Sequence, residues 1–379
     1  MADISTPADE LQAMLALTCT PHVGIILARQ LVSALGTAKA VYEHRTELPD
    51  YLPGVRSSLV EALDCPAAWQ RAKEEVEYAS RHRIRILTIN DAAYPSRLRE
   101  CDDAPLVLYM LGDANLNATR VVSMVGTRKA TDYGRDLCAA FVRDLAAAIP
   151  DILVVSGLAY GIDVAAHRAS LANNVMTVGV LAHGLDRIYP SVHRPVAAQM
   201  TTKGGALVTE FMSRTEPERQ NFVQRNRIIA GMADAVVVVE SAVKGGALIT
   251  ASMAQDYSRD CFAFPGRVGD SYSLGCNNLI RNNGAALITS ADDFLKAMGW
   301  DAETRNAKSG IVQRQLFVEL THDEERVLNY LRNQGEGVHI NNLVIDTDIP
   351  VSRLTGILFS LEMKGVVRPL AGTRYSAIG

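Results

Sequence analysis

The sequence predicts an α/β protein whose mostly parallel sheet is covered by helices on both faces. This core stands between an N-terminal helical module and a C-terminal winged-helix module. Three observations predict it. From residue 84 to about 297, short apolar β-branched runs alternate with amphipathic helical stretches, as in parallel strands buried on both faces. The residues before 84 lack such runs and read as short helices. Those after 315 place three helical stretches ahead of a hairpin. A chain of 379 residues exceeds the roughly 250 to 300 at which one core stops growing. With 48% hydrophobic and 21% charged residues it has material for several cores. The expected domains are 1–83, 84–300 and 316–379, with the polar, aperiodic segment 301–315 as linker.

In the helical module, His22-Val23-Gly24-Ile25 precedes LARQLVSAL, and Leu52-Pro53-Gly54-Val55 precedes SSLVEAL. The repeat resembles a duplicated helix-hairpin-helix, in which glycine lets a turn approach a phosphate. An ordinary glycine-containing helical turn is the simpler reading, because neither turn carries a lysine. In the core, strands are expected at 121–125, 152–155, 177–181, 206–209, 235–239, 261–264 and 286–288, with ILTIN and APLVLYMLG adding an edge pair. In the last module, helices at 323–331, 339–346 and 351–364 lead to strands at 366–370 and 374–377. Leu354, Ile357, Leu358 and Leu361 keep helical spacing, and Gly365 ends the third helix.

Composition narrows the function. A net charge of -4 and a pI of about 6.1 argue against a generally basic surface, although the block from 110 to 300 is the one part that is not acidic. Within it RQNFVQRNR (219–227) carries three arginines, one aromatic and no acid, which reads as a local anion site. The six cysteines are scattered and never form CxxC, so reduced thiols are expected, and no histidine pattern points to a metal. The polar N-terminus and the lack of a long apolar run point to a cytoplasmic protein without membrane contact.

Small and polar residues follow the strands: Gly126-Thr127-Arg128, Ser156-Gly157, His183-Gly184, Glu210, Glu240-Ser241 and Pro265-Gly266. In an open α/β sheet these ends share one rim, where ligands bind at the switch in strand order. Gly126 permits close backbone approach, Thr127 offers a hydroxyl and Arg128 can grip a phosphate; a tight turn with an incidental arginine fits equally. Ser156 and Gly157 repeat the logic, Gly161 allows a tight helix entry, and Asp163 with His167 reads as a hydrogen-bonded pair holding the turn. Phe222 can stack on a base while Arg225, Asn226 and Arg227 hold backbone. Alternatively Phe222 is a hydrophobic staple and one arginine a buried ion-pair partner. Lys244, Gly245 and Gly246 form a fourth phosphate-friendly turn, so an extended polyanion is expected along the rim.

The ordered run VGTRKATDYG, SGLAYGIDVAAH, GLDRIYP, FVQRNRIIAG, GGALITASMA and FPGRVGDSYSLGCNNLI, followed by NNGA, resembles the DNA-processing protein A family, also called DprA or Smf. The resemblance implies an extended Rossmann-like core with flanking helical (helix-hairpin-helix, SAM-like) and winged-helix modules. It implies a homodimer that binds single-stranded DNA without base specificity, protects incoming strands during natural transformation and helps load RecA recombinase, with no cofactor. On matching positions, Gly126, Thr127 and Arg128 would hold one phosphate and Ser156 and Gly157 another, with Phe222, Arg225, Asn226 and Arg227 bordering the strand. Val223 stands where the family usually has proline and Ala247 where serine is common. The segment before Phe222 carries Glu216 and Glu218, so weaker strand affinity is expected. With only Arg353 and Lys364 as cations on its third helix, the winged-helix module is expected to contact protein rather than duplex.

A rival reading is a nucleotide-processing enzyme of the lysine-decarboxylase-like or phosphoribohydrolase type. KGGALIT lacks that group's PGGxGT signature. Asp163, His167, Glu210 and Glu240 fall near the rim, but no nucleophile stands beside them, so no catalytic residue is expected.

Overall fold

The computed structural model describes residues 7–52, 54, 57–301, 320–334, 337–370 and 372–378. Apart from Asp301 the expected linker lies outside them, as do Pro53 and Val55. The central sheet has nine strands: β1 (Arg85–Thr88), β2 (Val107–Gly112), β3 (Val121–Val125), β4 (Leu153–Ser156), β5 (Met176–Val180), β6 (Ala206–Thr209), β7 (Ala235–Val238), β8 (Asp260–Ala263) and β9 (Ala286–Leu287). Their order is β1-β2-β6-β5-β4-β3-β7-β8-β9. The pairs from β6 to β9 are parallel, while β2 joins β6, and β1 joins β2, antiparallel. The seven expected strands are present within one residue, and the edge pair adds two more. Each parallel strand from β3 to β7 is buried along nearly its whole length, which is why its sequence is mostly apolar instead of alternating, with only the small buried polar residues Ser123, Ser156, Thr177 and Thr209 among them.

The chain starts the parallel sheet at β3, builds β4, β5 and β6 to one side, then returns to lay β7, β8 and β9 on the other. The switch point is therefore the crevice between the carboxyl ends of β3 and β7. One face of the sheet packs against the helix Asp132–Ala148, where Phe141 meets Phe264 and Phe294 edge-on at 5.5 and 5.4 Å. The other face shares a continuous apolar cluster with the N-terminal helices, including Leu15, Leu31 and Leu48. Arg71 fastens that module to the core by donating to the Ser213 carbonyl at 2.6 Å, and the Glu75 carboxylate accepts from the Ser213 N–H at 2.8 Å. Gly24 caps the helix Ile25–Leu35 with an ordinary extended backbone, and a Cβ there would meet open space.

The C-terminal module has its own core around Leu343, Leu354, Leu358 and Leu361. Its helices His322–Gln334, Ile340–Thr347 and Val351–Met363 precede β11 (Val367–Leu370) and β12 (Arg374–Ala377). A third strand, β10 (Val338–His339), pairs with β12 and was too short to leave a sequence pattern. The third helix's cations are engaged within the module: Arg353 pairs with Asp323, and Lys364 lies 2.7 Å from Glu324.

Candidate functional site

Four of the expected turns meet at the switch point. Gly126 ends β3 where an added Cβ would lie 2.4 Å from Ile162 and 2.9 Å from the Glu240 carbonyl, so only glycine fits. The next residue, Thr127, donates its N–H to that carbonyl at 2.7 Å, stitching the β3 turn to the β7 turn. Its own carbonyl accepts from the Ile162 N–H at 3.2 Å, and its hydroxyl accepts from the Lys129 N–H at 3.1 Å. Glu240 completes the loop. Its buried carboxylate accepts from the Thr131 N–H at 2.9 Å and the Thr131 hydroxyl at 2.7 Å, and Thr131 in turn caps the helix through the Gly134 N–H. Glu240 is thus a loop anchor with both oxygens occupied.

This scaffold leaves Arg128 exposed on the rim. Its guanidinium carbon lies 4.8 Å from the centroid of the Phe222 ring, a cation–π contact. Phe222 sits half-buried in the first turn of the helix Arg219–Gly231 and also meets Tyr189 edge-on at 5.9 Å. Tyr189 and Tyr160 are exposed, and Tyr160 lies 5.2 Å from His193. The sequence reading missed both tyrosines. The signal was available in GLDRIYP and SGLAYG, where an aromatic sits inside a rim turn. Lys129 and Lys244 are exposed on the same set of turns, and Asn226 is half-buried. Gly245 is tight, since a Cβ would come within 2.3 Å of the Ser241 hydroxyl, whereas Gly246 faces open space.

Other expected strand-facing groups point inward. Arg225 is buried, and its Nη1 donates to the carbonyls of Gly157, at 2.6 Å, and Val180. Burial lowers its pKa to about 10, which leaves it charged near neutrality. A Cβ on Gly157 would lie 2.1 Å from that nitrogen, so Gly157 exists to admit the guanidinium. Arg227 is buried too, donating to the Asp103 carbonyl at 2.6 Å and pairing with Glu210. Neither buried arginine presents its side chain on the rim; the buried ion-pair alternative describes Arg227, while Arg225 spends its guanidinium on backbone carbonyls. Ser156 is fully buried, its hydroxyl donating to the Met124 carbonyl at 2.6 Å. It shapes the turn rather than offering a side chain to solvent.

The expected Asp163–His167 pair does not form. Asp163 accepts backbone N–H groups of Ala159 and Gly157 and faces Arg225; burial raises its pKa against that charge. His167 is bonded elsewhere: Thr177 donates to the Val154 carbonyl, so the His167 Nδ1–H donates to Thr177 at 2.7 Å. Burial drives its pKa down to about 3, leaving a neutral ring. Gly161, at φ +79°, makes the tight entry into this helix, and a Cβ there would lie 2.0 Å from the Thr127 carbonyl. Among the described residues no three His, Cys, Asp or Glu side chains gather as a metal site. No helix among them is long and apolar enough to cross a membrane.

A family profile described as DNA recombination-mediator protein A matches residues 85–299, and one described as the DprA winged helix domain matches 316–373. A DNA processing protein DprA of Mycobacterium tuberculosis is 36% identical over 311 residues, covering 78% of each chain. A Smf protein of Synechocystis is 33% identical over 324 residues, 77% of this chain and 79% of its own. Among solved structures, Streptococcus pneumoniae DprA superposes with a TM-score of 0.56 at 30% identity, covering 72% of this chain and 98% of that one. A Helicobacter pylori DprA, described for its single-stranded DNA binding mode, gives 0.51 at 27% identity over 58% of this chain and 98% of its own. Two profiles that together follow the sheet and the winged helix, and relatives matched over most of their length, show that the chain belongs to the DprA/Smf family of DNA-processing proteins.

Proposed function

We propose that this protein binds single-stranded DNA along the switch-point rim, without base specificity. The observation that carries this reading is the contact of the exposed Arg128 with the half-buried Phe222 ring beside the exposed Tyr189, with Arg128 on a loop that Glu240 anchors. A guanidinium meets phosphate, an aromatic face meets any base, and the two together describe a single strand better than a duplex, whose bases are already stacked. Gly126 and Thr127 bring backbone up to the strand, while Lys244, Gly245 and Gly246 extend the track. Ser156, Gly157, Arg225 and Arg227 act from below by fixing the floor of the site, and Asn226 stands at its border.

In this reading the domains divide at 84, 300 and 316, and the protein works as a cytoplasmic homodimer. It shields incoming strands during natural transformation and helps load RecA recombinase; the family relationship supports these roles. The winged-helix module serves a protein partner, in keeping with its paired cations. The protein acts without chemistry of its own: Glu240 anchors Thr131 through both oxygens, and Glu210 is paired through one oxygen with Arg227 and Gln224. The test is fluorescence anisotropy with labelled oligothymidylate against a duplex of the same length. Single strand should bind at least tenfold more tightly, and equal or stronger duplex binding would overturn the proposal.

A further inference from the structure

Between β8 and the helix Leu274–Arg281 the chain makes a long turn, 264–273, at the carboxyl end of β8 and so on the same rim as Arg128. Its base is pinned. Asn277 clamps Gly266 twice, its Oδ1 accepting from the Gly266 N–H at 3.0 Å and its Nδ2 donating to the Gly266 carbonyl at 2.9 Å. A Cβ on Gly266 would lie 2.1 Å from the Ser273 Oγ, so the two ends of the turn touch. The Gly275 N–H donates to the Ser241 carbonyl at 2.8 Å, which seats this turn against the β7 turn that carries Lys244. The hydroxyl of the exposed Tyr133 donates to the Pro265 carbonyl at 3.1 Å, and Tyr133 stands two residues after Thr131, which Glu240 anchors. The turns after β3, β7 and β8 are thus one connected surface. From its base the tip of the β8 turn projects into solvent: Val268 is 97% exposed, and Gly269 beside it has φ +95° with open space around it.

The charges say which partner fits. Arg128, Lys129, Lys244 and Arg267 are all exposed on these three turns, and among the described residues none has a carboxylate partner. The acids of the same turns are fewer. Asp132 pairs with Arg135 at 2.7 Å, Glu240 is buried on Thr131, and only Asp270 is exposed and unpaired. Four such cations against one such carboxylate, spread over a row of turns, suit a chain of regularly spaced anions better than a protein face. Tyr133 adds an exposed ring, and a ring face takes a base of any sequence. We infer, on the strength of the rim reading above, that the strand track continues to the β8 turn. Single-stranded DNA that meets Arg128 and Phe222 runs on over Lys129 and Lys244 to Arg267, with Tyr133 and Val268 against its bases.

Anisotropy of labelled oligothymidylates in a length series tests this on the full chain. In the parent, affinity should rise with length to a plateau. Arg267→Ala, at an exposed position with no side-chain partner to lose, should leave the shortest strands that bind unaffected and weaken the longest by about three- to tenfold. For the longest strands alone it should also lower the slope of log affinity against log salt by about 0.7. Val268→Asp, which places a negative charge at the tip, should give the same length dependence as a second reading. Arg128→Ala should weaken strands of every length, and so separates the two levels. If no length binds the parent, or Arg128→Ala has no effect, the rim reading falls and this inference with it. If Arg128→Ala weakens binding while Arg267→Ala matches the parent at every length and salt, the track does not reach the β8 turn. The inference is equally overturned if Arg267→Ala weakens short and long strands alike. It is also overturned if Val268→Asp alters the sedimentation of the DNA-free protein without changing strand affinity, which would make the tip a protein contact.

Discussion

Replacing Glu240 by alanine tests whether the rim is built by this carboxylate or merely passes it. The side chain makes two charge-assisted hydrogen bonds, to the Thr131 N–H at 2.9 Å and to its hydroxyl at 2.7 Å. Each such bond contributes roughly 1.5 to 3 kcal/mol, so losing both to alanine should cost about 3 to 6 kcal/mol. At about 2 to 4 °C per kcal/mol for a domain of roughly this size, the core's midpoint should fall by about 6 to 24 °C. Glu240→Gln keeps one acceptor for the hydroxyl but turns an amide N–H toward the Thr131 N–H, and should cost only about 1 to 2 kcal/mol. Calorimetry and circular dichroism on the full chain read both variants. At a temperature where Glu240→Ala remains folded, strand binding should still weaken, because the loop carrying Arg128 has lost its tether. A Glu240→Ala protein that unfolds with the parent and binds DNA like the parent would refute the anchoring argument.

Arg128→Ala should weaken binding of all oligonucleotide sequences alike and reduce the salt slope by about one charge; normal affinity in a folded variant would move Arg128 out of the site. Phe222→Ala should lose roughly 1 to 3 kcal/mol of strand affinity, as measured by anisotropy, and Tyr189→Ala a smaller part of it. His167 carries a pH signature. Its folded pKa of about 3 lies below the ordinary 6.5, so the unfolded chain binds the extra proton, and the stability of the folded state falls as pH drops from 6.5 toward 3. In His167→Gln the urea midpoint should therefore change less between pH 7 and pH 4 than in the parent; identical slopes would contradict the buried neutral ring.

Much of the fold could be read from the sequence because the parallel strands are buried on both faces and therefore appear as apolar runs such as ILVV and AVVVV. The rim turns were legible for a related reason: a strand that must stop and reverse into a helix needs glycine, as at Gly126 and Gly161. What the sequence concealed was the destination of charge. Arg225 sits among Gln224 and Asn226, and so reads as surface, yet it lies three residues before Ile228 and four before Ile229, on the helix face that packs inward. Its partners are backbone carbonyls of β4 and β5 turns, which no side-chain pattern announces. Asp163 and His167 have the spacing of a pair, but full burial sends each to a nearer tertiary partner. Tyr189 became part of the aromatic surface only when the turn after β5 folded back over the helix carrying Phe222.

Photocrosslinking tests the location of the interface most directly. Oligothymidylate carrying 5-iodouracil at single positions would be irradiated with the full chain, and the modified peptides identified by mass spectrometry. Stacking on the rim predicts crosslinks to Phe222 and Tyr189, with yield reduced by Arg128→Ala and abolished by excess unlabelled single strand. Crosslinks confined to the winged-helix module or to the N-terminal helices, with none on the rim, would contradict the account.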